Sequence, residues 1–196
     1  MPNWCYNVLT ARGTKEEIDS FLAKTTKPNQ STDFADMEPL VFDFNSIIPM
    51  PNNVFRGNIG QKEQEECRAQ GIPNWYDWSI GHWGTKWNAC YTSVIRDADD
   101  KVSISFSTAW SYPLPVMNEM IDMYPNIDFD ITSHEESDAF VLQHTREGIE
   151  EGENRYYADG KVVEYNDEKD KWIDADGNEY DEYDESGYWF PSDDMF

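Results

Sequence analysis

The chemistry-bearing feature of this chain is a run of carboxylates interleaved with aromatic rings. Between residues 174 and 189, Asp174, Asp176, Glu179, Asp181, Glu182, Asp184 and Glu185 share the chain with Tyr180, Tyr183, Tyr188 and Trp189. Such a run can stay solvated around a hairpin turn, ligate a hard cation, or bind a basic protein surface. In the last case it imitates a nucleic-acid strand, with charge for steering and flat rings for register. That reading makes Asp174, Asp176, Glu179, Tyr180, Asp181, Glu182, Tyr183, Asp184, Glu185 and Trp189 the candidate partner-binding residues. The cation reading rests on spacing. Counting Asp174 as one, oxygen-bearing side chains fall at one, three, five, nine and twelve: Asp174, Asp176, Asn178, Glu182 and Glu185. That is the ligand register of a helix-flanked calcium loop, which needs glycine at position six. Glu179 stands there and the glycine, Gly177, stands at four. The flanks read as strand and turn, so a hairpin with solvated charge is the plainer account.

A second candidate is Trp83-Gly84-Thr85-Lys86-Trp87. Trp83 and Trp87 can flank a base or sugar while Lys86 meets a phosphate, which makes these three a candidate ligand pocket. The competing reading puts Trp75, Trp78, Trp83, Trp87 and Trp110 in an aromatic cluster beneath a long loop, each ring contributing on the order of 3 kcal/mol when fully buried. Other chemistries lack their residues. His82, His134 and His144 are scattered, and Cys5, Cys67 and Cys90 show no Cys-x-x-Cys spacing. No glycine-rich phosphate loop or nucleophile elbow occurs. No catalytic residue, metal or cofactor is expected, and a binding protein is favoured over an enzyme.

Charge narrows the partner. The chain of 196 residues has a formal net charge of −24. Residues 147–196 hold 18 acids and 4 bases, so a quarter of the chain carries more than half of the excess. Binding to phosphate backbones needs clustered Lys and Arg, so direct contact with nucleic acid or an anionic membrane is disfavoured. An odd, sparse set of cysteines fits a reducing compartment. The N-terminal residues show no secretory pattern, and no apolar run approaches the roughly 20 residues of a membrane span. The expected location is the cytoplasm.

The elements that must position these residues follow from periodicity. Trp4–Thr10 reads as a central strand, with Trp4, Tyr6 and Val8 alternating with Cys5, Asn7 and Leu9 and both sets able to pack. Thr14 and Glu17 have capping-box spacing and open a helix whose apolar face is Ile18, Phe21 and Leu22. A polar loop over 28–38 leads to a short strand, Leu40–Phe44. Residues 61–70 suggest a solvated helix, and 72–88 an aromatic-rich loop. Strands follow at Ala89–Ile95 and Val102–Thr108. A helix after Pro113 and Pro115 carries Val116, Met117, Met120, Ile121 and Tyr124, and Asp128–Thr132 is a further strand. The order predicts an α+β sandwich, an antiparallel or mixed sheet with two helices on one face. Beyond residue 139 the texture changes. Phe140-Val141-Leu142 suggests one more strand, followed by an acidic stretch, Glu147–Glu153. Asp159-Gly160 and Asp176-Gly177 mark hairpin turns, with Tyr156-Tyr157 pairing Val162-Val163, and Trp172-Ile173 pairing Tyr180. The expected organisation is a domain over 1–138 with an aromatic-rich insertion at about 49–88, then a C-terminal acidic β-hairpin appendage over 139–196.

Four segments together carry a family resemblance: Pro2-Asn3-Trp4-Cys5-Tyr6-Asn7; Phe44-Asn45-Ser46-Ile47-Ile48-Pro49-Met50-Pro51; Trp83-Gly84-Thr85-Lys86-Trp87-Asn88-Ala89; and Phe106-Ser107-Thr108-Ala109-Trp110-Ser111 through Pro115. In this order they resemble the YubB/Api-like proteins of tailed phages and conjugative plasmids over roughly residues 2–135. The resemblance implies a ferredoxin-like domain and a mobile-element origin, and no activity. Joined to the charge, it leads to an expected function: inhibition of a host nucleic-acid-handling defence system, of restriction or CRISPR type, by occupying its basic nucleic-acid-binding surface. The alternatives are an enzyme or binder acting on a nucleotide or small metabolite, and a calcium-binding module. Exposed sheet edges leave room for a dimer.

Overall fold

Alternation and capping place the elements. In the computed structural model, which describes residues 2–30, 39–137 and 139–190, strand β1 (Trp4–Arg12) leads to helix α1 (Lys15–Thr25). Thr14 and Glu17 close the expected capping box. Strands β2 (Thr26–Pro28) and β3 (Leu40–Phe42) pair with each other, and helices α2 (Phe44–Ile47), α3 (Gln61–Gln70) and α4 (Trp75–Trp83) follow. Next come β4 (Cys90–Ala98), β5 (Lys101–Ala109), α5 (Leu114–Met123) and β6 (Asp128–Glu135). Six strands complete the order: β7 (Val141–Thr145), β8 (Gly148–Ala158), β9 (Lys161–Asn166), β10 (Lys171–Asp174), β11 (Glu179–Tyr180) and β12 (Glu185–Trp189).

The four strands of the βαββαβ frame, β1, β4, β5 and β6, lie in the order β6-β1-β5-β4, all antiparallel. This is a ferredoxin-like sandwich. Helices α1 and α5 cover one face, and α2 and α4 join the same core. It contains Leu9, Phe21, Phe44, Trp78, Trp83, Ile104, Phe106, Met117, Met120 and Phe129. Strand β1 is central, as alternation predicts, but only one of its faces packs. Cys5, Leu9 and Ala11 are fully buried, whereas Tyr6 and Val8 are exposed on the open face.

Several boundaries differ from the sequence expectation. Phe44 ends no strand. Asp43 accepts a hydrogen bond from the Asn45 N–H and caps a single helical turn that carries Phe44 into the core. The aromatic stretch holds helix α4, capped by Asn74, whose side chain accepts from the Asp77 N–H. Rings all around that helix hide the amphipathic period. The expected polar loop over 28–38 lies largely outside the described residues.

The ladder runs unbroken past residue 138. Strand β7 pairs β6, and the acidic stretch Glu147–Glu153 is the first half of β8, paired with β7. The second half of β8 pairs β9 and β12, so this one strand belongs to both the main sheet and a smaller C-terminal sheet, β12-β8-β9-β10-β11. The expected flanking strands pair, Tyr156 opposite Val163, Tyr157 opposite Val162, and Trp172 opposite Tyr180. Asp159 and Gly160 both take positive φ, 51° and 71°, the geometry that matches hairpin twist. Gly152 marks the changeover. It is the last residue of β8 that pairs β7, and a Cβ there would lie 2.5 Å from the Trp189 carbonyl oxygen and from a Phe190 ring carbon.

One buried polar pair ties the connection between β5 and α5 to the ladder. The Tyr112 hydroxyl lies 2.9 Å from His144 Nδ1, and both residues are buried. Burial holds the imidazole below its ordinary pKa of 6.5 and raises that of the phenol. The neutral ring and the neutral phenol therefore share one hydrogen bond.

Gly152→Ala forces backbone apart where β12 crosses, and should cost about 1–3 kcal/mol. Hydrogen exchange should show protection lost first in β8 and β12 and retained in β1. The unfolded chain protonates His144 more readily than the folded one. Stability should therefore fall as pH drops below about 6.5. Melting curves at pH 7.5 and 5.5 check this, and His144→Gln should flatten the difference.

Candidate functional site

Residues from the motif-bearing segments meet at the β4 end of the sheet. Trp83 donates its indole N–H to the Ile48 carbonyl (2.9 Å) and packs against Phe44 and Trp78. Gly84 follows at φ +77°, with Pro115 so close that a Cβ would meet its Cδ at 2.8 Å. Thr85 clamps the end of β5, its hydroxyl donating to the Ala109 carbonyl and accepting from the Ala109 N–H. Ser111 donates to the Gly84 carbonyl at 2.5 Å. Asn88 accepts from the Phe44 N–H and donates to Asp43, which also pairs with Lys27 at 3.0 Å. Burial alone would raise the Asp43 carboxyl, but hydrogen bonds from Asn88, Lys27 and Ser46 outweigh it and leave the group below the usual range. Asn7, buried under the helices, donates to the Cys5 and Phe106 carbonyls and to the Thr108 hydroxyl, and accepts from Ser133. Burial and the Glu135 charge push the neighbouring Cys5 thiol up to about 12, so it is no nucleophile at neutral pH.

This scaffold presents a surface of rings around one ammonium. Lys86 Nζ lies 4.4 Å from the Trp87 ring centre, 5.0 Å from Trp110 and 5.8 Å from Tyr76. Trp4 joins Trp87 at 6.1 Å and Tyr91 at 5.3 Å. Tyr91 and Trp110 are 65% and 46% exposed, and both take positive φ, 49° and 68°. For a non-glycine residue that conformation costs roughly 1–3 kcal/mol. Of the expected pocket residues, Lys86 and Trp87 are half-buried beside these exposed rings, while Trp83 is a core residue, its ring held by Phe44, Trp78 and Ile48. Sequence spacing missed Trp4, Tyr76 and Tyr91, because their meeting depends on strand pairing and on the bulge in β4 between Cys90 and Ser93.

The acidic residues occupy the other end of the sheet. Asp174 is buried, and its carboxylate accepts from the backbone N–H groups of Asp176 and Asn178, the Asn178 amide, Lys161 and the Tyr180 hydroxyl. These donors, the Asn178 side chain first, hold it well below the usual carboxylate range. It organises the turn from within and presents no free oxygen to a partner. Asp176, Glu179 and Asp181 are exposed and paired with Lys161, Lys169 and Lys171. Asp184 accepts from the Asp159 N–H, and Glu182 is exposed. The side chain of Glu185 lies outside the described residues. Tyr180 bonds Asp174, Tyr183 packs on Tyr156 and Trp172, and Arg155 lies 3.7 Å over the Trp189 ring. These aromatics hold the small sheet together. In the calcium register, Asp174 is enclosed by donors, and Asn178 turns its amide N–H toward it. Among the described residues no three His, Cys, Asp or Glu side chains converge as a metal site, and no helix is long and apolar enough to cross a membrane.

Comparison with known families bears on both ends of the sheet. The family model described as the ferredoxin-like domain in Api92-like protein matches residues 82–185, just over half of the chain. The chain belongs to the Api92-like family. The matched residues run from the end of α4 to the start of β12, and so hold Lys86, Tyr91 and Trp110 together with the acidic strands. They extend past residue 135, where the motif resemblance ends, whereas Trp4 lies outside them. Among solved structures, the crystal structure of a protein api92 from Yersinia pseudotuberculosis aligns at 11% identity and a TM-score of 0.46. The alignment covers 74% of this chain and 94% of that one. No curated protein matches the chain.

The Thr85 clamp is the joint on which Lys86 and Trp87 depend. Thr85→Val leaves the Ala109 N–H and C=O without their partner, at a cost of about 1–3 kcal/mol. It should also shift tryptophan emission to longer wavelength as Trp87 loosens. Urea denaturation and emission spectra measure the two effects.

Proposed function

We propose that this Api92-like protein is an acidic binding protein that occupies a basic, nucleic-acid-binding surface on a partner protein. The observation that carries the reading is how charge is spent in the C-terminal sheet. All four bases of residues 147–196 are consumed in internal ion pairs: Arg155 with Glu153, Lys161 with Asp174 and Asp176, Lys169 with Glu179, and Lys171 with Asp181. Glu164, Asp167, Glu168 and Glu182 are exposed and make no ion pair among the described residues. The result is a surface of one sign on a paired β scaffold, an acidic hairpin appendage that can steer toward a cationic groove.

The rings of this segment build its sheet, so register on a partner falls to the exposed Tyr183 and Tyr188 rather than to a row of free anchors. Resemblance to mobile-element proteins makes a host restriction- or CRISPR-type nuclease the first partner class to test. The cytoplasm is the compartment where the two would meet.

The test compares the intact chain with a variant carrying Glu164→Gln, Asp167→Asn, Glu168→Gln and Glu182→Gln. These residues are exposed, so the sheet should survive the changes. The intact chain should capture a nucleic-acid-binding protein from host lysate at low salt. Moderate salt and added DNA or RNA should release it, and the neutralised variant should capture at least tenfold less. Equal capture by both chains, or a captured protein that nucleic acid does not displace, would defeat the proposal.

A further inference from the structure

We propose that the surface formed by Trp4, Lys86, Trp87, Tyr91 and Trp110 binds a nucleoside monophosphate, its base stacked on an exposed ring and its phosphate on the Lys86 ammonium. The site lies at the opposite end of the sheet from the acidic strands, and the proposal stands independently of the partner reading.

In a chain of net charge −24, with ion pairs formed by so many of its bases, Lys86 has no carboxylate within 4 Å among the described residues. Its neighbours are the π-faces of Trp87, Trp110 and Tyr76. Rings attract an ammonium but leave its full charge uncancelled, so an arriving anion finds a cation already held in place. Tyr91 and Trp110 stand 65% and 46% exposed, although Trp78 and Trp83 show that this chain can bury its rings at the same end.

Tyr91 follows the start of β4 and Trp110 follows the end of β5. Each is a bulky residue in the left-handed region, and neither strain is relieved by burying the ring it aims. Strain held in place around exposed side chains is a mark of a binding surface. The cost is met by fixed contacts: the Trp110 N–H donates to the Asn3 carbonyl at 2.9 Å, and Thr85 and Ser111 lock the loop bearing Lys86.

These features select the ligand. Flat faces select a nucleobase, by stacking that tolerates any base. One ammonium matches one phosphate. The negative field of the remaining molecule repels a polyanion, which sets a single nucleotide above a nucleic-acid strand.

Calorimetry and tryptophan quenching on the full chain test the site, with the four nucleoside monophosphates, adenosine, inorganic phosphate and a thymidine oligonucleotide as probes. The monophosphates should bind and quench, with adenosine about tenfold weaker than its monophosphate. Lys86→Gln should erase that difference while leaving adenosine binding unchanged, and Lys86→Arg should restore it. Trp110→Leu should weaken both ligands about tenfold. Both side chains are partly exposed, and unchanged melting curves confirm that the variants fold. The proposal is overturned if no monophosphate binds at millimolar concentration, or if Lys86→Gln keeps the full phosphate preference. Tighter binding of the oligonucleotide, or of an acidic tyrosine-containing peptide, than of a monophosphate would overturn it as well.

Discussion

The pairing of β1 between β5 and β6 is the constraint on which the rest of the molecule depends. Strand β1 is hydrogen-bonded along its whole length to β5 and along nearly all of it to β6. A one-residue slip would turn Leu9 and Ala11 out of the core and Tyr6 and Val8 into it. Buried Asn7 makes such a slip costlier. Its amide is satisfied only where Phe106, Thr108 and Ser133 stand opposite, and an unmet amide in that interior costs about 1–3 kcal/mol. Register therefore sets which rings are buried and which reach the surface.

The two ends of the sheet handle charge in opposite ways. At the C-terminal end, lysines and acids pair locally and the excess negative charge is left in water, where screening makes it inexpensive. At the β4 end a single ammonium is surrounded by rings. Both arrangements sit on antiparallel strands whose backbone groups satisfy one another, so neither charge distribution has to hold the fold. Surface ion pairs such as Lys169 with Glu179 add little stability by themselves. The buried contacts of Asp174 and the tilted and edge-on packing of Tyr156, Trp172 and Tyr183 carry that part instead.

The segment between α1 and β4 is an integral part of the core. Phe42 and Phe44 meet Phe106 of β5 at 5.2 and 5.7 Å, and Trp83 packs on Phe44. Residues of the motif-bearing segments are therefore joints: Ile48 receives the Trp83 indole and Asn88 reaches Phe44 within this stretch, and Thr85 holds Ala109 of the sheet. Their residue types look idiosyncratic in sequence because each is chosen for a partner far along the chain.

Local physics made much of this legible in advance. Alternation in Val102–Thr108, the Thr14–Glu17 capping box, the apolar face of α5 and the Asp-Gly turns each act over a few residues, and each element formed where its pattern lies. Uniform patterns were silent. Helix α4 carries rings on every side, and the acidic first half of β8 has no apolar alternation, so its strand state comes from pairing with β7. The acids and rings of the C-terminal segment could be enumerated from sequence, but not their division into buried Asp174 and exposed Glu182, which depends on which donors the turn folds over. Likewise Lys86 and Trp87 stand adjacent in the chain, while Trp4, Tyr91 and Trp110 reach them only through the β1–β5–β4 ladder. Composition and short-range spacing determined the charge and those elements that carry a local pattern. Long-range strand pairing decided which side chains share a surface, because only that pairing brings distant positions within a few ångströms.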